Sequence, residues 1–290
     1  MFPQSISPCA SPATSDHTPH LLPDCQHCAA SLASARLQPT RTLQINGAEI
    51  RVLPDASALA RAAADEFSRL AKESVAVRGR FTVALSGGST PKAIFQLLAT
   101  DHANGVALPW DRIQIFFGDE RHVPPDHVDS NFRMANEHLL SKVPIPAGNV
   151  HRIEGEREAV EAATRYEAEL RSTFTESAGS LPRFDLIFLG MGADGHTASL
   201  FPGSSALDEQ RALVCATWVE KFRSHRITFT FPLINAAAHV LFVAGGADKT
   251  AMLRHVLHGD PSGQTYPSQR IRPTNGDLVW LVDEAAAQAL

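Results

Sequence analysis

Cysteine is scarce in this chain, with four in 290 residues, and the four do not lay out a disulfide framework. Cys25 and Cys28 form a C-x-x-C, while Cys9 and Cys215 stand apart. His17, His20 and His27 lie near the pair, but the second C-x-x-C or H-x3-H of a structural zinc site is missing. No strand pattern precedes the pair in the sequence and no helix pattern follows it, as a redox motif would require. Incidental cysteines in a polar tail are the simpler reading, and so low a count suits a reducing compartment, the cytoplasm. Apolar runs of the ~20 residues needed to span a bilayer are also absent, so no membrane partner is expected. Positive charge is not in excess: the formal net charge is −5, which argues against a general nucleic-acid binder. Neither a G-x-S-x-G elbow nor an H-E-x-x-H helix occurs. No metal and no organic cofactor is expected.

What is present falls into two regions. Residues 1–41 are rich in Ser, Pro, Ala, Thr and His and lack apolar periodicity, a composition that buries too little surface to order itself. A secretory signal would need an early Lys or Arg and then an apolar stretch, yet the first basic residue is Arg36. A disordered extension is expected over 1–41, and a single folded domain over 42–290.

The second region alternates strand and helix patterns. Leu43 to Leu53 reads as one or two short strands, and Ala58 to Ala71 as an Ala-rich amphipathic helix with Asp55 or Ser57 as its N-cap. Phe81 to Leu85 is an apolar run of the kind that makes a buried parallel strand, followed by a helix over Lys92 to Ala99 with Pro91 in its first turn. Strands are expected again over Ile113 to Phe117, Phe184 to Leu189, Ile227 to Phe231, His239 to Ala244 and Leu278 to Val282. Helices are expected over Asn131 to Leu140, Ala159 to Phe174 and Thr250 to Leu257, with Asp283 capping a last one. This order predicts an α/β fold of the Rossmann-like, doubly wound kind: a mostly parallel sheet with helices on both faces. Ligands in such folds bind beyond the carboxyl ends of the strands.

Four of those strand ends carry unusual residues. SGGSTP, from Ser86, offers hydroxyls, the close backbone approach that Gly87 and Gly88 allow, and free N–H groups at a helix start, a combination suited to phosphate. It equally describes a tight capped turn. It is not a nucleotide P-loop, because no Gly-Lys-Ser/Thr follows. GMGADGH places Gly190, Gly192 and Gly195 in a G-x-G-x-x-G, but Pro202 follows too soon for the long helix of a dinucleotide site. His196 there can act as a general base near neutral pH, with the Asp194 carboxylate orienting or stabilising its ring. In GDERH, Asp119 and Glu120 can order the crevice and Arg121 can pair with an anion. Lys249, after Gly245-Gly246, and Arg226, opening a strand, add two cations in an otherwise acidic chain.

These loops in order, SGGSTP, FFGDERHVPPDHVDSNFRMA and FDLIFLGMGADGHTASLFPGS, followed by RITFTFPLINAA, AGGADK and LVWLVDEAAA, closely resemble the 6-phosphogluconolactonase family. The match runs from about Thr42 to Leu290. SGGSTP is shared with the related glucosamine-6-phosphate deaminases, whereas GADGHTASLFP beside GDERHVP is far more specific to the lactonases. The resemblance implies a cofactor-free hydrolase of 6-phospho-D-glucono-1,5-lactone in the oxidative pentose phosphate pathway; a monomer is expected, with a homodimer as the alternative. It implies His196 as catalytic base with Asp194 beside it and Arg121 as an active-site cation. Ser86, Gly87 and Gly88 become phosphate-loop residues, and Asp119, Arg226 and Lys249 line the substrate site. A histidine base would give the pH profile an acidic limb at about 6 to 7. The competing readings are a deaminase-type isomerase, for which Asp119 is the nearest carbon-acid base, and a non-catalytic sugar-phosphate sensor.

Overall fold

The computed structural model describes residues 38–174, 181–260 and 262–290. The tail with its C-x-x-C pair lies outside them. The chain opens with an antiparallel hairpin of β1 (Arg41–Ile45) and β2 (Ala48–Leu53), turned at Asn46-Gly47. Helix α1 (Ala56–Arg78) follows, capped by Asp55, whose carboxylate accepts the Ala58 N–H at 2.8 Å. It runs a further two turns beyond the stretch that its apolar periodicity marks, because its last residues are largely polar. Then come β3 (Phe81–Leu85), α2 (Ser89–Ala103), β4 (Ile113–Phe117), β5 (Asp119–Arg121), α3 (Asn131–His138) and α4 (Ala159–Thr173). The chain continues through β6 (Leu186–Leu189), β7 (Val214–Val219), β8 (Ser224–Phe229), α5 (Phe231–Ile234), β9 (His239–Ala244), α6 (Thr250–His258) and β10 (Asp277–Asp283).

Seven strands form the main sheet in the order β1-β2-β10-β9-β6-β3-β4. All neighbours after the first hairpin pair in parallel. β3, β6 and β9 are buried almost throughout, which is why each reads as an unbroken apolar run. The right-handed crossover rule puts α1 and α2, which lead the chain across the sheet toward β4, on one face. It puts α6, which leads back from β9 to β10, on the other. The fold is the doubly wound α/β class that the alternation predicts.

A second sheet departs from expectation. β5, β8 and β7 form a small antiparallel sheet of their own. Asp119 to Arg121 therefore do not trail from the end of β4 but make a separate short strand beyond Gly118. β8 ends at Phe229, and Phe231 already opens α5. The last element is a 3-10 turn, Ala286–Ala289, rather than an α-helix, although Asp283 does accept the Ala286 N–H at 2.8 Å.

Candidate active site

The strand order reverses at β3. The chain crosses from β3 to β4 on one side and returns to β6 on the other, so the loops after β3 and β6 flank a topological switch point, where a crevice opens in this fold class. The four unusual loops follow β9, β6, β3 and β4, four consecutive strands of the sheet.

On the loop after β6, the His196 imidazole hydrogen-bonds through Nδ1 to Asp194 Oδ1. Burial alone would raise the Asp194 carboxyl, but the bond from His196 and a contact of Lys221 Nζ with Oδ2 at 3.2 Å outweigh it and hold the group at about 2. An ionised carboxylate can only accept, so the ring donates from Nδ1 and the neutral imidazole keeps its lone pair on Nε2. Nε2 has no hydrogen-bond partner among the described residues, and a quarter of the side chain is exposed. Phe201 stacks on the ring, with centroids 4.1 Å apart. The glycine run makes this packing possible: a Cβ on Gly192 would lie 2.0 Å from His196 Nδ1.

The loop after β3 is joined to the GDER segment by Asn131, at the start of α3. Its side chain lies so close to Gly87 that a Cβ there would sit 1.9 Å from Oδ1, and its Nδ2 donates to the Asp119 carbonyl at 2.9 Å. Gly88, with φ of +110°, turns the chain into α2. Ser86 Oγ and Asn131 Oδ1 are buried without partners among the described residues, a donor and an acceptor left for a ligand or water. Asp119, itself buried, accepts from Ser199 Oγ at 2.6 Å and from Asn131 Nδ2 at 3.2 Å, tying β5 to the histidine loop.

Glu120 faces the other way. Its two oxygens accept the N–H groups of Arg121, Asn131 and Phe132 and the Ser130 hydroxyl. Burial, with the neighbouring Asp119, leaves its pKa above the ordinary carboxylate value, although those backbone donors pull it down. Four donors fit an ionised carboxylate anchoring the first turn of α3.

Arg121 and Arg226 stand directly opposite each other across β5 and β8. Arg121 donates to the Asp129 carbonyl; Arg226 lies over the Phe222 ring, 5.1 Å from its centroid. Burial, and then the nearby Arg121, push the Arg226 guanidinium below its ordinary value. Like charges so placed repel, and an anion between them would relieve that repulsion. Lys249 pairs with Asp248 at 3.0 Å, and hydrogen bonds and ion pairs among the described residues do not join it to the others. Only the adjacency of β9 to β6 brings it to the same edge.

One family model, "Glucosamine-6-phosphate isomerases/6-phosphogluconolactonase", matches residues 54–280. The chain belongs to this family. A 6-phosphogluconolactonase of Nostoc sp. is 43% identical over 242 residues, covering 83% of this chain and 98% of that protein. Among family structures, the 6-phosphogluconolactonase from Trypanosoma cruzi superposes with a TM-score of 0.76 at 29% identity, over 86% of this chain and 99% of that one. A monomeric glucosamine-6-phosphate deaminase has a TM-score of 0.70 at 19% identity, over 83% and 99% of the two chains. That likeness shows the shared fold alone.

His196, Asp194, Asp119 and the two arginines stand out in the sequence itself; Asn131, Ser199, Phe201, Lys221 and Phe222, which connect them, do not. Nothing marks these as functional in a single sequence, because each acts through a partner 5 to 80 positions away.

Proposed function

We propose that this chain hydrolyses 6-phospho-D-glucono-1,5-lactone to 6-phosphogluconate, acting as a cytoplasmic monomer through residues 42–290. The observation that carries the mechanism is the Asp194–His196 pair, with its second ring nitrogen lacking a hydrogen-bond partner among the described residues at the switch-point edge. A δ-lactone is an activated ester, so water needs only deprotonation and no covalent nucleophile. His196 Nε2 takes a proton from water as the oxygen attacks C1, and returns it to the departing ring oxygen. Asp194 holds the tautomer and stabilises the imidazolium that forms. Base catalysis of this kind is worth ~10²- to 10⁴-fold. A cation at the developing oxyanion, a role taken here for Arg121 with Arg226 and Lys249 as the alternatives, adds a similar factor. The Ser86-Gly87-Gly88 turn, Arg226 and Lys249 take the phosphate, whose remote binding energy fixes the lactone in orientation.

The isomerase reading is weaker on this geometry. Asp119, the carboxylate it would use to remove a carbon-bound proton, is buried with both oxygens hydrogen-bonded. The test is hydrolysis of freshly made lactone, corrected for the spontaneous rate, with ammonia release from glucosamine 6-phosphate assayed in parallel. His196→Ala is expected to lower kcat by about 10²-fold or more with KM little changed. Near-wild-type turnover in that variant would end the mechanism.

A further inference from the structure

Two large apolar side chains, Trp218 and Phe222, remain about half exposed on one hairpin, that of β7 and β8. Its tip, Glu220–Phe222, is a 3-10 turn closed by Arg223 in the left-handed region. Trp218 Nε1 donates to Glu220 at 2.8 Å, which stiffens the tip. From there Lys221 reaches the Asp194 carboxylate, although its side chain is 60% exposed. Phe222 meets Phe201 edge-on, with centroids 5.8 Å apart, and Phe201 stacks on His196. Arg226, four residues along the hairpin, lies under Phe222.

Resting on the lactonase reading above, we infer that this hairpin tip is a positioning device for His196: Lys221 fixes the Asp194 carboxylate, and Phe222 with Phe201 braces the plane of the ring. The contact has two consequences. With Oδ2 held by Lys221, Oδ1 stays directed at Nδ1, so the tautomer with Nε2 unprotonated persists between turnovers. The ammonium also offsets part of the negative charge that the Asp194 carboxylate presents to the ring. Other charges around the imidazole are Asp194 on its own loop, Glu220 and Arg226 on the hairpin, and Asp119 behind Ser199. Asp260 and His255 lie behind Tyr266, against Gly195. Lys221 is the cation that touches the carboxylate partner of the base.

The test compares Lys221→Met, Lys221→Arg and Phe222→Leu with the wild type in kcat and KM for the lactone from pH 5.5 to 8, with thermal melts alongside. Lys221→Met is expected to lower kcat about three- to tenfold, leave KM within about twofold and move the acidic limb up by about half a pH unit, the size of one screened charge at this range. Lys221→Arg should restore both, and Phe222→Leu should lower kcat without moving the limb. An unshifted limb with unchanged kcat in Lys221→Met overturns the inference, and so does a raised KM at constant kcat, which would make Lys221 a substrate contact. A second readout does not depend on turnover: the His196 ring titration, followed by NMR, should rise by the same half unit in Lys221→Met. If the wild type lacks lactonase activity, the functional reading fails while this titration still decides the positioning role.

Discussion

One methyl group at Gly192 would separate the chemistry of the histidine loop from its folding. An added Cβ would lie 2.0 Å from His196 Nδ1 and 2.6 Å from Asp194 Oδ1, yet Gly192 is not among the residues with positive φ. Its backbone therefore tolerates alanine, and only the ring and carboxylate must move. Gly192→Ala is expected to lower kcat by about 10²-fold, the cost of roughly 1 Å of misplacement, and to lower Tm by less than ~4 °C. Kinetics and a melting curve on one preparation check this, and full activity would mean that the pair is not held as described. Asp194 also gives acid sensitivity a sign. Its folded pKa, about 2, lies below the ordinary carboxylate range. Its contribution to stability is thus present above pH ~4 and fades as pH falls toward 2. His196 and Asp194 were legible in the sequence because Gly-Ala-Asp-Gly-His follows an apolar run and a His on such a loop is a chemical oddity. Lys221 was not, because a lysine in a polar turn looks like any solvated charge until the fold sets it against Asp194.

At the scale of elements, the strands of the main sheet were easy to read and the small sheet was not. Buried parallel strands such as FTVAL and LIFL announce themselves by continuous apolar character. β7, VCATWV, has one exposed and two half-buried positions, so neither an unbroken run nor strict alternation appears. β5 is three residues of Asp, Glu and Arg, and no propensity makes that a strand. It is one because β8 pairs with it and because Glu120 collects donors that would otherwise be orphaned. Glu120→Gln would turn an NH2 group toward two of those four donors. The expected cost is about 2 to 4 kcal/mol, from buried donors left unsatisfied, seen as a Tm fall of roughly 5 to 15 °C. KM and kcat should worsen together as Asn131, Asp119 and Arg121 lose register. An unchanged Tm would show that α3 is anchored by its packing alone.

For the molecule as a whole, the reversal of strand order decides where chemistry can occur. The sequence shows which residues end strands; only the order β9-β6-β3-β4 shows that those ends are neighbours. The same arrangement bears on charge. The chain carries a net −5, which repels a phosphorylated substrate at long range, whereas Arg121 and Arg226 face each other across β5 and β8, and Lys249 follows β9, a neighbour of β6 in the main sheet. Attraction to these cations acts through solvent over a distance that salt sets, ~30 Å at 0.01 M and ~8 Å at physiological strength. Hydrolysis at C1, in contrast, depends on contacts too short to be screened. Raising NaCl from ~20 to ~500 mM is therefore expected to increase KM about three- to tenfold while kcat stays within about twofold. Lys249→Ala or Arg226→Ala should raise KM at low salt and flatten this dependence, since each removes part of what salt screens. A KM indifferent to salt in the wild type would place the phosphate away from these three cations, and the hydroxyls and N–H groups of the Ser86 turn would then have to hold it alone.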